Sequence, residues 1–278
     1  MCSAYLWKGA LIPMQTVSNN NGNFACSQYG EEWAGPDGDR LTLAIALLKQ
    51  LPSGSVNINL FESRLDFPTS VGIQELIEAS TNWTISEDSE SYLHGHSDSY
   101  LVAVTSSSEG PNWPAFSPNE NKNESQQELI DQWSKEVQGV SQGAYVSQAQ
   151  HIVASSSRLG LKAQNDHGTM VWPPRQLNSE GARIDSSTNT LSEPATILTW
   201  TRLSAAGAPS EFSGRAPLLD GVSTVLVAFE EGPKGVFMLA DDEHEAPEID
   251  GKVRFEVRRL YGQDGMMHYG LKAVLCQS

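Results

Sequence analysis

From Pro194 onward the chain repeats one pattern: ATILTWTRL, STVLVAFEEG, KGVFMLADD, KVRFEVRRL and MHYGLKAVL, five runs separated by Gly, Pro or Asp turns. Runs rich in β-branched and aromatic residues, bounded by turn formers, predict strands. Five of them in so short a stretch must bury one face against each other, so residues 191–278 are expected to close into a small all-β barrel or sandwich. Along Lys252–Leu260 the alternation sets Val253, Phe255 and Val257 on one face and Arg254, Glu256 and Arg258 on the other.

The first part of the chain reads differently. GPDGDRLTLAIALLKQL (35–51) opens with turn residues and two aspartates. Asp37 or Asp39 can cap a helix whose apolar residues recur at Leu41, Leu43, Ala44, Leu47, Leu48 and Leu51. Pro52-Ser53-Gly54 stops it. Val56–Ser63 alternates as a strand, Thr69–Ser80 reads as helix, and Ser99–Ser107 is a near-continuous apolar run suited to a buried strand. Alternation of α and β makes residues 1–118 an α/β region. Residues 106–127 are rich in Ser, Pro and Asn and are expected to form a linker or long loop. Residues 119–163 are read as linker and helical segment. The helix extends from Gln126 to about Lys162, with breaks expected at Gly139, Gly143 and Ser155–Ser157.

Charge narrows the functions. The chain carries 18 Lys and Arg against 34 Asp and Glu, a net −16. The excess is −10 over residues 1–124, −1 over 125–191 and −5 over 192–278. Phosphate contacts need cations, so no region suits generic nucleic-acid or anionic-membrane binding. No apolar run approaches the roughly 20 residues of a membrane span. The N-terminal MCSAYLWKGALIPMQ has one lysine and no clear cleavage site, so it is not read as a signal peptide and a cytoplasmic location is expected. The three cysteines, Cys2, Cys26 and Cys276, are far apart and form neither a disulfide framework nor a C-x-x-C half-site.

Ahead of the strands lies QNDHGTMVWPPRQLNSEG (164–181). Its Gly168–Arg175 turn, GTMVWPPR, followed by DGVSTVLVAFEEGPKGVFMLAD and IDGKVRFEVRRLYGQDGMMHYGLKAVL, resembles the acyl-CoA-associated family in which a rubredoxin-like zinc ribbon precedes an OB-fold. The family pattern runs C-x-x-C-G, a spacer, P-P-R, C-x-x-C and then the barrel. The resemblance covers the chain from about Tyr145 to its end. It implies a ribbon at residues 164–190 and an OB-fold barrel at 191–278. Aligned on PPR, the four ligand positions hold Gln164, His167, Asn178 and Gly181. A structural zinc site wants four Cys, His or carboxylate ligands, and of these four only His167 serves. The ribbon is therefore expected to be degenerate and metal-free, stiffened by Pro173-Pro174 and by the apolar area of Trp172.

GPDGDRLTLAIALLKQL and the strand ending in LFES are also similar to the opening of thiolase-fold proteins of the hydroxymethylglutaryl-CoA synthase type, where a D-x-x-T helix leads to a strand with a serine-containing turn. That similarity implies an incomplete thiolase-like region. Cys26 precedes the first helix, the wrong order for the thiolase nucleophile, and is expected to be an ordinary thiol. Together the two resemblances imply a non-catalytic accessory subunit, a scaffold that docks on a thiolase-superfamily enzyme subunit and helps hold acyl-CoA. Trp113, Trp133 and Trp172 are the candidate anchors.

For the phosphates of coenzyme A the candidates are Arg175, Arg215, Arg254 and Arg258, with Arg259 beside them, since guanidinium suits phosphate geometry. The alternative for these residues is the polar outer face of a barrel. His94-Gly95-His96 and the acidic run 241–245 are read as solvated loops rather than metal ligands. Two other functions stay open on the residues alone: an OB-fold nucleic-acid binder using barrel aromatics, and a stand-alone acyl-CoA enzyme using Cys26.

Overall fold

The computed structural model describes residues 5–6, 14–116, 126–139, 148–208 and 211–276. The chain divides into two compact units, one of residues 1–139 and 257–269, the other of residues 140–256 and 270–278. It is a mixed α/β protein built mostly of strands in several sheets. No described helix is long and apolar enough to cross a membrane.

In the first unit the elements run β1 (Tyr5–Leu6), β2 (Met14–Asn19), β3 (Gly22–Ser27), α1 (Arg40–Gln50), β4 (Gly54–Val56), α2 (Asn59–Glu62), α3 (Ile73–Ser80), β5 (Trp83–Ile85), β6 (Tyr92–Gly95), β7 (Leu101–Thr105) and α4 (Gln126–Gln138). The main sheet has the order β1-β2-β3-β7-β6, and β4 pairs in parallel with β5. Helix α1 begins where the sequence predicts. Asp39 Oδ1 accepts the Thr42 N–H at 2.9 Å while Thr42 Oγ1 accepts the Asp39 N–H at 2.8 Å, a reciprocal cap that satisfies two helix-start donors. Leu41–Leu48 are all buried, so α1 is a core helix rather than a one-faced surface helix. It packs against β3 and β7, and all of β7 is buried as its apolar run requires.

The strand expected at Val56–Ser63 stops at Val56. Asn57 bends the chain: its Oδ1 accepts the Asn59 N–H at 3.0 Å, and α2 follows. The expected break at Ser155–Ser157 is absent, because these serines lie inside α5 (Gln148–Leu159) of the second unit. Serine costs a helix only a few tenths of a kcal/mol, too little to end one that packing favours. Residues 117–125 of the expected linker, and Gly143, lie outside the described residues.

After α5 come β8 (Lys162–Asp166), β9 (Thr169–Val171), β10 (Thr188–Thr190), β11 (Ala195–Leu203), β12 (Val222–Ala228), β13 (Lys234–Met238), β14 (Lys252–Gln263) and β15 (Met266–Leu275). A small sheet has the order β10-β8-β9, and the five expected strands form the sheet β13-β12-β11-β14-β15. Its two ends meet: Leu239, just past β13, forms a parallel bridge with Ala273 of β15, and the Ala240 N–H donates to the Ala273 carbonyl at 2.9 Å. The core inside holds Ile197, Val225, Val227, Phe229, Phe237, Leu239, Val253 and Phe255. Phe237 and Phe255 lie 4.3 Å apart, and Trp172 stacks on Phe237 at 5.5 Å. A Cβ at Gly235 would stand 2.7 Å from both the Trp172 and Phe237 rings, so a larger residue here would force these rings to shift.

β14 and β15 cross the division: residues 257–269, the tip of this hairpin, belong to the first unit. There Gly262 lets Val137 of α4 approach, since a Cβ would meet the Val137 backbone nitrogen at 2.6 Å.

Candidate functional site

Of the four positions aligned with ribbon ligands, two, Gln164 and Asn178, carry hydrogen-bonding amides. Gln164 is buried on β8. Its Oε1 accepts the Arg175 N–H at 2.6 Å, and its Nε2 donates to the Asp185 carbonyl at 3.1 Å. Asn178 Oδ1 accepts the N–H groups of Glu180 and Ala182, each at 3.0 Å. Gly181 sits at φ 80°, a turn position that favours glycine. His167 lies in the two-residue β8–β9 turn at φ 50°, with its side chain 91% exposed. Gln164 thus clamps the Pro-Pro-Arg turn to the chain near Asp185, and Asn178 organises the following loop. Among the described residues, no group of three or more His, Cys, Asp or Glu is placed to hold a metal ion.

The candidate arginines are not one patch. Arg175 and Arg254 are exposed. Arg215 is fully buried in the second unit, its Nη1 2.9 Å from Asp241, whose other oxygen lies 2.6 Å from Lys272 Nζ. Asp241 therefore leaves the solvated loop expected for the acidic run. Arg258 is buried in the first unit with Nη1 2.7 Å from Asp37 Oδ1, and Arg259 beside it is buried too. A ligand phosphate would have to displace an aspartate from Arg215 or Arg258, breaking a buried ion pair at a cost of several kcal/mol. The strand alternation holds at Arg254 and fails beyond it, since Glu256, Arg258 and Arg259 are all buried.

The buried pairs of the first unit form a centre at the start of α1. Asp39 Oδ2 accepts the Tyr269 hydroxyl at 2.7 Å and lies 4.0 Å from Arg259 Nε. The Arg259 guanidinium stacks 4.5 Å above the Trp133 ring, whose Nε1 donates to the Pro36 carbonyl at 2.7 Å. Arg40 pairs with Asp66 and donates from Nε to the His96 and Ser99 carbonyls at 3.1 and 3.3 Å. Burial, with Asp39 nearby, raises the Asp66 carboxyl above its ordinary range against the pull of Arg40. Burial and the Asp39 charge hold the Tyr269 phenol well above its usual value. The arrangement locks a loop, a helix start and a hairpin tip together. The sequence carries its traces, two aspartates before a helix and an Arg-Arg pair, but not their pairing.

Other candidates change place. His94 is buried on β6, not on a solvated loop, with Nε2 3.1 Å from Thr105 Oγ1 and 3.0 Å from the Ser107 carbonyl. Burial lowers its pKa. Cys26 is fully buried on β3, and burial pushes its thiol up to about 12. A nucleophile needs thiolate, so this environment disfavours catalysis by Cys26. Of the expected anchors, Trp133 is 0% exposed, Trp113 packs edge-on to Phe24 at 6.0 Å, and Trp172 is stacked on Phe237.

The elements thus define a protein of two units, an α/β sheet with a buried ion centre and a ribbon-like hairpin joined to a five-stranded closed sheet. No family model matches the chain. No curated protein matches it. Among solved structures it is similar to a chain described as "Ltp2-ChsH2(DUF35) aldolase", with 15% sequence identity and a TM-score of 0.33, over 44% of this chain and 93% of that one.

Proposed function

We propose that the protein is a non-catalytic accessory subunit that docks on a thiolase-superfamily enzyme and helps hold its acyl-CoA. The reading rests on one observation above others: a clamped ribbon hairpin runs directly into a five-stranded sheet closed from β13 to β15, the order expected of a ribbon followed by an OB-fold. The protonated, buried Cys26 favours an accessory role over a catalytic one. With Arg215 and Arg258 held by aspartates, Arg175 and Arg254 are the residues left to meet phosphates of coenzyme A. The ribbon works in this reading without zinc, its loops held by Gln164 and Asn178. Purification from the native host tests the proposal: a thiolase-fold enzyme is expected in stoichiometric amount, and recovery of a lone monomer overturns it. Calorimetry of the purified complex with acetyl-CoA tests the ligand, and joint replacement Arg175→Gln and Arg254→Gln is expected to weaken binding at least tenfold.

A further inference from the structure

A cleft of about 720 Å³ opens in the first unit where the end of α1, the start of β4, the loop 86–91 and the end of β7 come together. None of its lining residues belongs to the buried ion centre, and its volume is that of a small-molecule site. Leu51, Pro52 and Val104 supply its apolar part. The loop that carries its charges is pinned at two points. Asn57 Nδ2 donates to the Glu87 carbonyl at 2.9 Å, and Ser89 Oγ donates to the Ser55 carbonyl at 2.8 Å. Ser89 is buried, while Asp88 and Glu90 beside it in the chain are exposed and line the cleft.

Two exposed acids alone are ordinary surface. Trp83 separates this cleft from such surface. Its side chain lines the cleft, is only 8% exposed, and holds Nε1 buried with no hydrogen-bond partner. Among the described lining residues no other side-chain nitrogen or oxygen is left in that state. A buried N–H without an acceptor is costly, and a ligand oxygen can supply the missing acceptor.

The lining decides the chemistry of that ligand. It holds two carboxylates, no Lys, Arg or His, and Leu51, which caps α1 at the negative pole of the helix dipole. An anion meets repulsion there, the phosphates of coenzyme A included. An ammonium ion suits the carboxylates, but it only donates and leaves the Trp83 N–H without an acceptor. A wholly apolar ligand would take water from the carboxylates and put nothing in its place. A hydroxyl group both accepts from an N–H and donates to a carboxylate. A ring bearing several hydroxyls also brings C–H surface for Leu51, Pro52 and Val104, and exposed Ser53 and Ser106 add further hydroxyl partners.

We infer that this cleft binds a neutral polyhydroxylated ligand, a sugar or oligosaccharide, through the Asp88 and Glu90 carboxylates and the Trp83 N–H. The site is separate from the accessory-subunit reading, whose ligand is anionic. Calorimetry of the full chain with maltotriose, cellotriose and xylotriose tests it, with glucose 6-phosphate and spermidine as charged comparators. At least one neutral trisaccharide should bind with a Kd below about 1 mM, and glucose 6-phosphate should give no binding heat at the same concentration. Joint replacement Asp88→Ala and Glu90→Ala should weaken sugar binding at least tenfold and leave the melting temperature unchanged, because both side chains are exposed. Trp83→Phe keeps an aromatic ring and removes the N–H, and should weaken binding at least threefold. Failure of all three sugars to bind, binding of spermidine or glucose 6-phosphate alone, unchanged sugar affinity in the double variant, or equal affinity in a folded Trp83→Phe overturns the inference.

Discussion

Single side chains set the reactivity and the stability of the first unit. An ordinary thiol of pKa 9.0 is about 10% thiolate at pH 8, whereas one pushed to about 12 is thiolate roughly a thousandfold less often. Native Cys26 should therefore resist iodoacetamide at pH 8 and become reactive in urea, as peptide mass mapping will read. The linkage has a definite sign. The folded chain holds the Cys26 proton more tightly than the unfolded chain, so its contribution to stability is complete below about pH 9 and is lost as pH climbs towards about 12. Urea midpoints of the wild type and Cys26→Ala at pH 8 and pH 10.5 should show a steeper decline for the wild type. Asp39 carries a heavier structural load, as helix cap, Tyr269 acceptor and neighbour of Arg259. The cap alone is worth about 1 kcal/mol and an orphaned buried hydroxyl another 1–3 kcal/mol. Asp39→Ala should lower chemical-denaturation stability by about 2–4 kcal/mol, and a loss under 1 kcal/mol would refute the role given to this centre.

At the scale of elements, what the sequence reveals is what local patterning controls. The helix at Arg40–Gln50 is legible because cap, apolar period and Pro52 stop all lie within a short stretch. The five strands of the second unit's main sheet are legible because each carries its own alternation and turn residues. The strand at Val56 ends early because one side chain, Asn57, competes for its own backbone, and an Asn inside an alternating run does not announce which choice it makes. Trp133, Arg215 and Arg258 resist sequence reading for a different reason. Arg258 and Asp37 are 221 residues apart, and no periodicity encodes a pairing at that separation. A Trp or Arg on an amphipathic element can equally be anchor or core. The Gln164 clamp gives an element-scale prediction. Gln164→Ala leaves the Arg175 N–H and the Asp185 carbonyl without their partner, so hydrogen exchange across 175–185 should quicken while the amides of the five-stranded sheet stay protected, at a cost of about 1–3 kcal/mol. Metal analysis of the purified wild type should find no stoichiometric zinc; one zinc per chain would contradict the hydrogen-bonded clamp.

For the molecule as a whole, the hairpin of β14 and β15 matters most. Its tip supplies Arg258, Arg259 and Tyr269 to a unit otherwise made from residues 1–139. A chain ending at Gly139 would bury Asp37 and Asp39 without Arg258 and Arg259. Residues 1–139 expressed alone should therefore show no cooperative thermal transition and should bind a hydrophobic dye, whereas the full chain should melt cooperatively; a sharp melt of the truncated chain would count against the ion centre. The same threading bears on descent. Modules that evolve by shuffling are exchanged at a clean cut, with each piece carrying its own core. Here a strand pair drawn from residues 252–275 completes a structure otherwise made from residues 1–139, so recombination between the two stretches breaks the first even when it spares the second, and the two are bound to be inherited together.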